Sequence, residues 1–188
     1  SPDYPPYEFL TTENGNKKVV GADIYLAEQV AKKLGVQVEI QQMAFDSLIA
    51  ALNANKVDMV ISGVNPTEER KKAVDFSDVY YTGKGIFVVN KDSDEIKSVD
   101  DLKNKKIAAQ MGTTGSDLAN KIEGTTVKVF DHSNEALLEL LNGGVDATVI
   151  DLPVAQYYST KHPDAKIQIL AYPNTKEYLG LAMNKDNK

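Results

Sequence analysis

The sequence contains no cysteine and only two histidines, His132 and His162. The absence of cysteine excludes disulfides, thiolate metal sites and cysteine nucleophiles. Two histidines also argue against a histidine-based metal cluster or a serine–histidine catalytic triad. No apolar run approaches the roughly 20 residues that a membrane-spanning helix needs. The absences leave binding proteins and a limited range of enzymes as the function classes to consider.

The composition is otherwise that of an ordinary globular protein. Of the 188 residues, 42% are hydrophobic and 26% are charged, which is enough for one large domain or two small ones. The formal net charge of -6 argues against nucleic acid or an anionic membrane as the main partner. The lack of cysteine suits an exported protein, and the sequence shows no signal-peptide pattern.

Apolar periodicity predicts alternating helices and strands after an aromatic, proline-rich loop over residues 1–9. The alternation favours an α/β fold with mostly parallel sheets, and residues 82–85 are expected to form a flexible connector. The predicted helices are 21–34, 46–55, one that begins at Thr67, 98–102, 116–122, 134–141 and 153–160. The predicted strands are 36–40, 57–61, 86–89, 106–110, 127–130, 147–150, 167–170 and 178–183.

An internal repeat divides the chain into two similar halves. Residues 46–62 align without gaps on residues 134–150, so that Leu52 falls on Leu140 and Val60 on Thr148. In the same alignment Gly63 falls on Asp151, just past the carboxyl end of an equivalent strand. Because open α/β sheets bind ligands at that end of their strands, both positions are candidate contacts in a cleft between two lobes.

The stretch from residue 58 to residue 81 contains an unusual arginine. A short apolar strand runs through a turn into the helix that begins at Thr67, and Arg70 lies in its first turn. The positive partial charge of a helix N-terminus favours acids at that place. The side chain of Arg70 should tilt back toward the turn. Arg70 is therefore a candidate donor to a ligand carboxylate, and a surface ion pair is the alternative.

Three further features complement this arginine. Residues 112–115, Gly-Thr-Thr-Gly, follow a strand and precede a helix, as anion-binding turns do. No lysine follows them, which counts against nucleotide phosphates. Asp151 is a candidate acceptor for an ammonium group, or an ordinary helix N-cap. Tyr4 and Phe45 are candidate cation–π walls, or simple packing residues. Together these groups complement a free α-amino acid.

Residues 61–81, ISGVNPTEERKKAVDFSDVYY, are similar to the signature region of the polar amino-acid-binding proteins of bacterial ABC importers, solute-binding protein family 3. The resemblance extends along the chain through YPPYEF, GADIYLAEQVAKKLG, MAFDSLIAALNANKVDMVISG, SVDDLKNKKIAAQMGTTG and VDATVIDLPVAQYY. It implies a periplasmic-binding-protein-like type II α/β fold, with two βαβ-type lobes joined by a two-strand hinge around a ligand cleft. Lobe 1 would comprise residues 1–84 and 177–188, and lobe 2 residues 85–176.

The resemblance also implies a role for each candidate residue. Arg70 would clamp the ligand carboxylate, helped by the backbone N–H groups of Asn65 and Thr114. Asp151 would bind the α-ammonium group with the carbonyl of Gly63. Tyr4 and Phe45 would enclose the ligand side chain, and the further positions near the ligand are Ser62, Gln110 and Thr113.

The function that follows is high-affinity binding of a polar L-amino acid and its delivery to the membrane permease of an ABC importer. Ser62, Asn65 and Gln110 suit glutamine, whereas Asp3 and Glu8 suit the guanidinium of arginine. The expected protein is a monomer without metal or cofactor, in the periplasm or on the cell surface as a lipoprotein. A ligand-sensing module and a dehydratase-like enzyme on the same fold are the alternatives. The candidate residues offer no further acid or base for such an enzyme.

The sequence departs from the family pattern at two places. Asn65-Pro66 stands where relatives usually have serine or threonine followed by an aliphatic residue. The chain also begins inside the aromatic loop and ends after the last predicted strand, so both ends look trimmed. We therefore expect the first lobe to lack a central strand.

Overall fold

The computed structural model describes residues 1–172 and 175–185, which form two compact units. Unit 1 comprises Ser1–Thr82 and the C-terminal segment from Tyr178, and unit 2 comprises Gly83–Glu177. The lobe boundaries expected from the sequence stay a prediction. The chain leaves unit 1 within strand β6 (Tyr81–Gly83) and returns to it within strand β12 (Glu177–Leu179).

Unit 1 contains two small antiparallel sheets, in the orders β1-β2-β3 and β4-β13-β5. Its buried core includes Leu48, Leu52, Val60 and Val74. In chain order its other elements are β1 (Asp3–Tyr4), β2 (Glu8–Glu13), β3 (Asn16–Val20), α1 (Ala22–Leu34), a 3₁₀ turn (Phe45–Ser47), α2 (Leu48–Asn53), β4 (Met59–Val60), α3 (Glu68–Ala73), β5 (Val74–Phe76) and β13 (Ala182–Asn184).

Unit 2 is built on one five-stranded sheet in the order β11-β7-β10-β8-β9. Its buried core includes Phe87, Leu102 and Ile107. In chain order its elements are β7 (Gly85–Asn90), a 3₁₀ turn (Val99–Leu102), β8 (Lys106–Gln110), α4 (Thr114–Asn120), β9 (Thr126–Phe130), α5 (Ser133–Leu141), β10 (Ala147–Asp151), α6 (Leu152–Lys161) and β11 (Ile167–Ala171).

Local chemistry explains where several elements begin and end. Asn14 and Gly15, both with positive φ, form the two-residue turn between β2 and β3, as Asn-Gly does in tight hairpins. Gly35 ends α1 in the left-handed conformation. Gly21, with φ 133°, precedes α1, and a Cβ there would lie 2.1 Å from the carbonyl oxygen of Tyr7. Only glycine therefore allows α1 to begin so close to the strand that follows Tyr7.

Four expectations about local structure are wrong. The first nine residues are not all loop, because β1 pairs with the start of β2. Residues 82–85 belong largely to β6 and β7 instead of a flexible connector. The expected strand at 178–183 is two strands, interrupted at Gly180. Antiparallel pairings also predominate among the described residues, since β7 and β13 each run antiparallel to both neighbours, whereas β8 pairs in parallel with β9 and with β10.

The expected strand over residues 36–40 is also absent. Among the described residues this segment pairs with no strand, and Val36, Val38 and Ile40 are exposed. A groove of about 340 Å³ lies between this segment, α1 and residues 56–62. An alternating pattern of side chains does not make a β-strand by itself, because the backbone N–H and C=O groups need a neighbouring strand as hydrogen-bonding partner. That the first lobe lacks a central strand stays a prediction.

Candidate functional site

Arg70 is held above the turn that precedes α3. The hydroxyl of Thr67 caps the helix by accepting a hydrogen bond from the Arg70 N–H at 3.1 Å. The guanidinium Nη1 donates to the carbonyl oxygen of Asn65 at 3.0 Å, and its central carbon lies 5.4 Å from the ring centre of Phe45. The side chain therefore turns back over its own N-terminal turn, as its helical position predicts.

Gly63 and Tyr4 lie together at the end of β4. Gly63 has φ 56°, a conformation that favours glycine. A Cβ at this position would lie 3.6 Å from the Tyr4 ring, so the tyrosine covers the glycine. The Tyr4 ring is also stacked on Tyr7, with the ring centres 5.9 Å apart. Unit 1 thus brings together two pairs of expected site residues, Arg70 with Phe45 and Gly63 with Tyr4.

Below this turn lies a cluster of buried polar groups. Asp23 accepts a hydrogen bond from the Gly63 N–H at 2.8 Å and from the Tyr80 hydroxyl at 3.0 Å. The Ser62 hydroxyl donates a hydrogen bond to Glu8 at 2.6 Å and accepts a hydrogen bond from the amino group of Ser1 at 3.0 Å. The Ser62 hydroxyl is therefore already engaged in this cluster. Glu8 is only 3% exposed, so it faces the interior and not a surface where it would meet a guanidinium.

Burial governs the electrostatics of this cluster. It raises the pKa of Glu8 well above its usual range, and repulsion from Asp23 raises it further. Burial also raises the pKa of Asp23, although the hydrogen bonds from Gly63 and Tyr80 oppose that shift. The pKa of Tyr80 is raised by burial and by the negative charge of Asp23 beside it. All three groups thus favour their neutral forms more strongly than they would in water.

The Gly-Thr-Thr-Gly turn of unit 2 connects β8 to α4. Thr113 is the N-cap of α4, since its hydroxyl accepts a hydrogen bond from the Ser116 N–H at 3.1 Å and donates to the Gln110 carbonyl at 2.8 Å. Gln110 is buried, and its amide donates to the carbonyl of Asp131 at 3.1 Å. The side chains of Thr113 and Gln110 therefore shape this turn.

Thr114 and Asp151 are both half-buried. Asp151 ends β10 at the N-cap position of α6, but its side chain makes no capping hydrogen bond. Its position is thus the one expected for an N-cap, without the bond. The Thr114 hydroxyl lies 3.4 Å from a carboxylate oxygen of Glu177. A Cβ on Gly85, which pairs with Asp151, would lie 3.3 Å from the other oxygen.

Sequence reasoning missed Asp23, Tyr80 and Glu177 at these places. A signal existed for Asp23, because it lies four and seven residues before Ala27 and Val30 on the apolar face of α1. A carboxylate on a buried helical face needs partners. No comparable pattern marks Tyr80 or Glu177, since their contacts join segments far apart in the sequence.

The described residues contain no group of three or more histidine, aspartate or glutamate side chains placed to hold a metal ion. In the same part of the chain, no helix is both long and apolar enough to cross a membrane.

Comparison with known proteins identifies the family. The model of the bacterial extracellular solute-binding proteins, family 3, matches residues 1–160. The chain belongs to this family. Its mixed α/β architecture in two units is that of the type II periplasmic amino-acid-binding proteins, as the solved structures of relatives show.

The family 3 relatives include both sequences and solved structures. The arginine-binding extracellular protein ArtP of Bacillus subtilis is 38% identical over 194 residues, covering 100% of this chain and 73% of ArtP. The substrate-binding protein of an amino acid ABC transporter superposes with a TM-score of 0.95 at 43% identity, over 100% of this chain and 84% of its own. An ancestral arginine-binding protein bound to arginine superposes with a TM-score of 0.92 at 46% identity, over 98% of this chain and 82% of its own. An ancestral arginine-binding protein bound to glutamine superposes with a TM-score of 0.92 at 44% identity, over 100% of this chain and 82% of its own.

Proposed function

We propose that this family 3 protein binds a polar L-amino acid, arginine or glutamine, and delivers it to the permease of an ABC importer. The observation that carries the proposal is the placement of Arg70, which folds back over the turn and against the ring of Phe45. A guanidinium is a planar fork of N–H donors that suits a carboxylate. The similarity to structures bound to arginine and to glutamine supports the choice of ligand.

Both units contribute groups to the proposed site. Arg70 binds the ligand carboxylate with the N–H groups of Asn65 and Thr114. Asp151 binds the α-ammonium group with the carbonyl of Gly63. Tyr4 and Phe45 enclose the ligand side chain, while Ser62, Gln110 and Thr113 shape the surrounding turns.

The proposed activity is binding without chemical conversion, by a monomer outside the cytoplasm, in the periplasm or anchored as a lipoprotein. The permease recognises the loaded protein. Membership of the family of extracellular solute-binding proteins supports both the location outside the cytoplasm and the permease as partner.

Calorimetry with the twenty amino acids tests the proposal. We expect tight binding of arginine, glutamine or both, and a loss of roughly 100-fold in affinity for Arg70→Ala, since about two charge-assisted hydrogen bonds disappear. Asp151→Asn should weaken binding by at least roughly tenfold. Lys71→Ala and Asp117→Asn, which change exposed charges on α3 and α4, serve as matched controls. Normal binding by both site variants would refute the assignment, and turnover of the bound amino acid seen by NMR would refute binding without chemistry.

A further inference from the structure

Two buried carboxyl groups of unit 1 have no part in the proposed ligand contacts. Glu8 begins β2 and is 3% exposed, and Asp23 lies in the first turn of α1 and is 0% exposed. Burying one carboxylate costs free energy, and burying two side by side costs more unless partners compensate. Their position therefore calls for an explanation beyond packing.

Both carboxyl groups bind the turn that follows β4. Asp23 accepts the Gly63 N–H at 2.8 Å, and Glu8 accepts the Ser62 hydroxyl at 2.6 Å. Ser62 and Gly63 are consecutive, so one acid binds a side chain and the other a backbone N–H of the same turn. Gly63 has φ 56° and no side chain to restrain it, and the bond to Asp23 fixes the peptide plane that enters it.

The position of Asp23 is itself fixed on two sides. The Asp23 N–H donates to the Tyr7 carbonyl at 2.9 Å, which ties the start of α1 to the segment before β2. The hydroxyl of Tyr80 donates to both carboxylate oxygens of Asp23 at 3.0 Å. Asp23 is therefore fixed by its own contacts, and its bond to Gly63 holds that residue in place.

Glu8 and Asp23 also face each other. The second oxygen of Glu8, Oε2, is buried, and no donor reaches it among the described residues. Burial, the neighbouring charge of Asp23 and a hydrogen bond between the two side chains all raise the pKa of Glu8, against the hydrogen bond from Ser62. Two carboxyl groups can form that bond only when one of them carries a proton. The other titratable groups around the pair are the amino group of Ser1 and the side chains of Asp3, Tyr7 and Tyr80.

We propose that Asp23 is a positioning residue of the amino-acid site, which holds Gly63 for the ligand, and that Glu8 shares one proton with it. The inference rests on the proposed function, because Gly63 is a proposed ligand contact. When the shared proton is lost at high pH, two negative charges repel each other behind the turn. Gly63 then loses its fixed orientation and the affinity for the ligand falls.

Conservative variants test the positioning role. In Asp23→Asn the amide oxygen still accepts the Gly63 N–H and the amide N–H replaces the shared proton. We expect its affinity for arginine or glutamine to stay within about threefold of the wild type. Asp23→Ala should lose at least roughly tenfold in affinity. Glu28→Gln, which changes an exposed acid on the same helix, is the control.

The pH dependence tests the shared proton without a destabilising variant. Calorimetry from pH 5 to pH 9 should show that the affinity of the wild type falls as the pH rises and that the affinity of Glu8→Gln falls less. The ammonium group of the ligand titrates equally in both, so the difference reports the pair. The amide resonance of Gly63 should shift with the same midpoint in the wild type and not in Glu8→Gln.

Two results would overturn the inference. The first is a folded Asp23→Ala that binds as tightly as the wild type. The second is an identical pH profile in the wild type and Glu8→Gln, for both affinity and the Gly63 resonance. If the wild type binds no amino acid, the proposed function fails, and the Gly63 resonance still reports whether the acids share a proton.

Discussion

The two units carry the same helix–strand repeat and build different structures from it. In unit 2 the repeat ends in β10, a strand of five residues that pairs with β7 on one side and β8 on the other. In unit 1 it ends in β4, a strand of two residues that pairs with β13 and borders the groove. The comparison shows that the length of a strand depends on its partners as much as on its own residues.

The helical part of the repeat behaves alike in both units. Leu52 and Leu140, which align with each other, are 0% and 1% exposed, so each anchors its helix in a core. The strand ends differ more. Gly63 donates its N–H to the buried Asp23, whereas Asp151 ends β10 at the N-cap position of α6. A repeated scaffold thus carries different residue types, a glycine and an aspartate, at equivalent strand ends.

The largest effect on stability is expected when the two aligned leucines, Leu52 and Leu140, are each truncated to alanine. Leu140→Ala should lower the free energy of unfolding by about 4 kcal/mol, within the usual range for a buried leucine. Leu52→Ala should lower it by about 2 kcal/mol, because the open groove beside its unit lets neighbouring side chains relax. Urea unfolding measures both. Equal losses would show that the groove does not soften the core of unit 1.

A smaller effect is expected from exchanging the aligned residues Val60 and Thr148. The Thr148 hydroxyl donates to the carbonyl of Ala108 at 3.1 Å, so Thr148→Val should cost less than about 1 kcal/mol. Val60→Thr should cost about 2 kcal/mol, because it buries a hydroxyl in the apolar core of unit 1. Thermal unfolding of the two variants measures the difference. A reversed order would mean that the two strands have similar surroundings after all.

The smallest effect concerns the threonines that cap α3 and α4. Thr67→Ala should cost about 1 kcal/mol, which is typical of an N-cap. Thr113→Ala should cost about 1.5 kcal/mol, because Thr113 also donates to the Gln110 carbonyl. Ligand calorimetry adds a second reading, since Thr67→Ala loosens the turn beneath Arg70 and should weaken binding a few-fold. Unchanged affinity would show that Arg70 keeps its place without the cap.

Much of the fold was predictable because it depends on neighbours in the sequence. The end of α1 at Gly35, the cap at Thr67 and strand β8 all lie where periodicity and capping chemistry put them. The return of the Arg70 side chain over its turn also follows from helical geometry. Residues 36–40 have an equally clear strand pattern and form no strand. Their alternating pattern indicates a preference for a β-strand, which forms only where a neighbouring strand can pair with it.

The sequence by itself determined the family, the two-unit architecture and the residues proposed to bind the ligand, since motifs and periodicity are local. Only the tertiary structure decided how those residues are supported. Asp23 reaches Gly63 across 40 positions and Glu8 reaches Ser62 across 54. Contacts of that range leave no periodic signal in the chain. Whether a carboxyl group is buried or exposed, and so whether it keeps its proton, depends on such contacts.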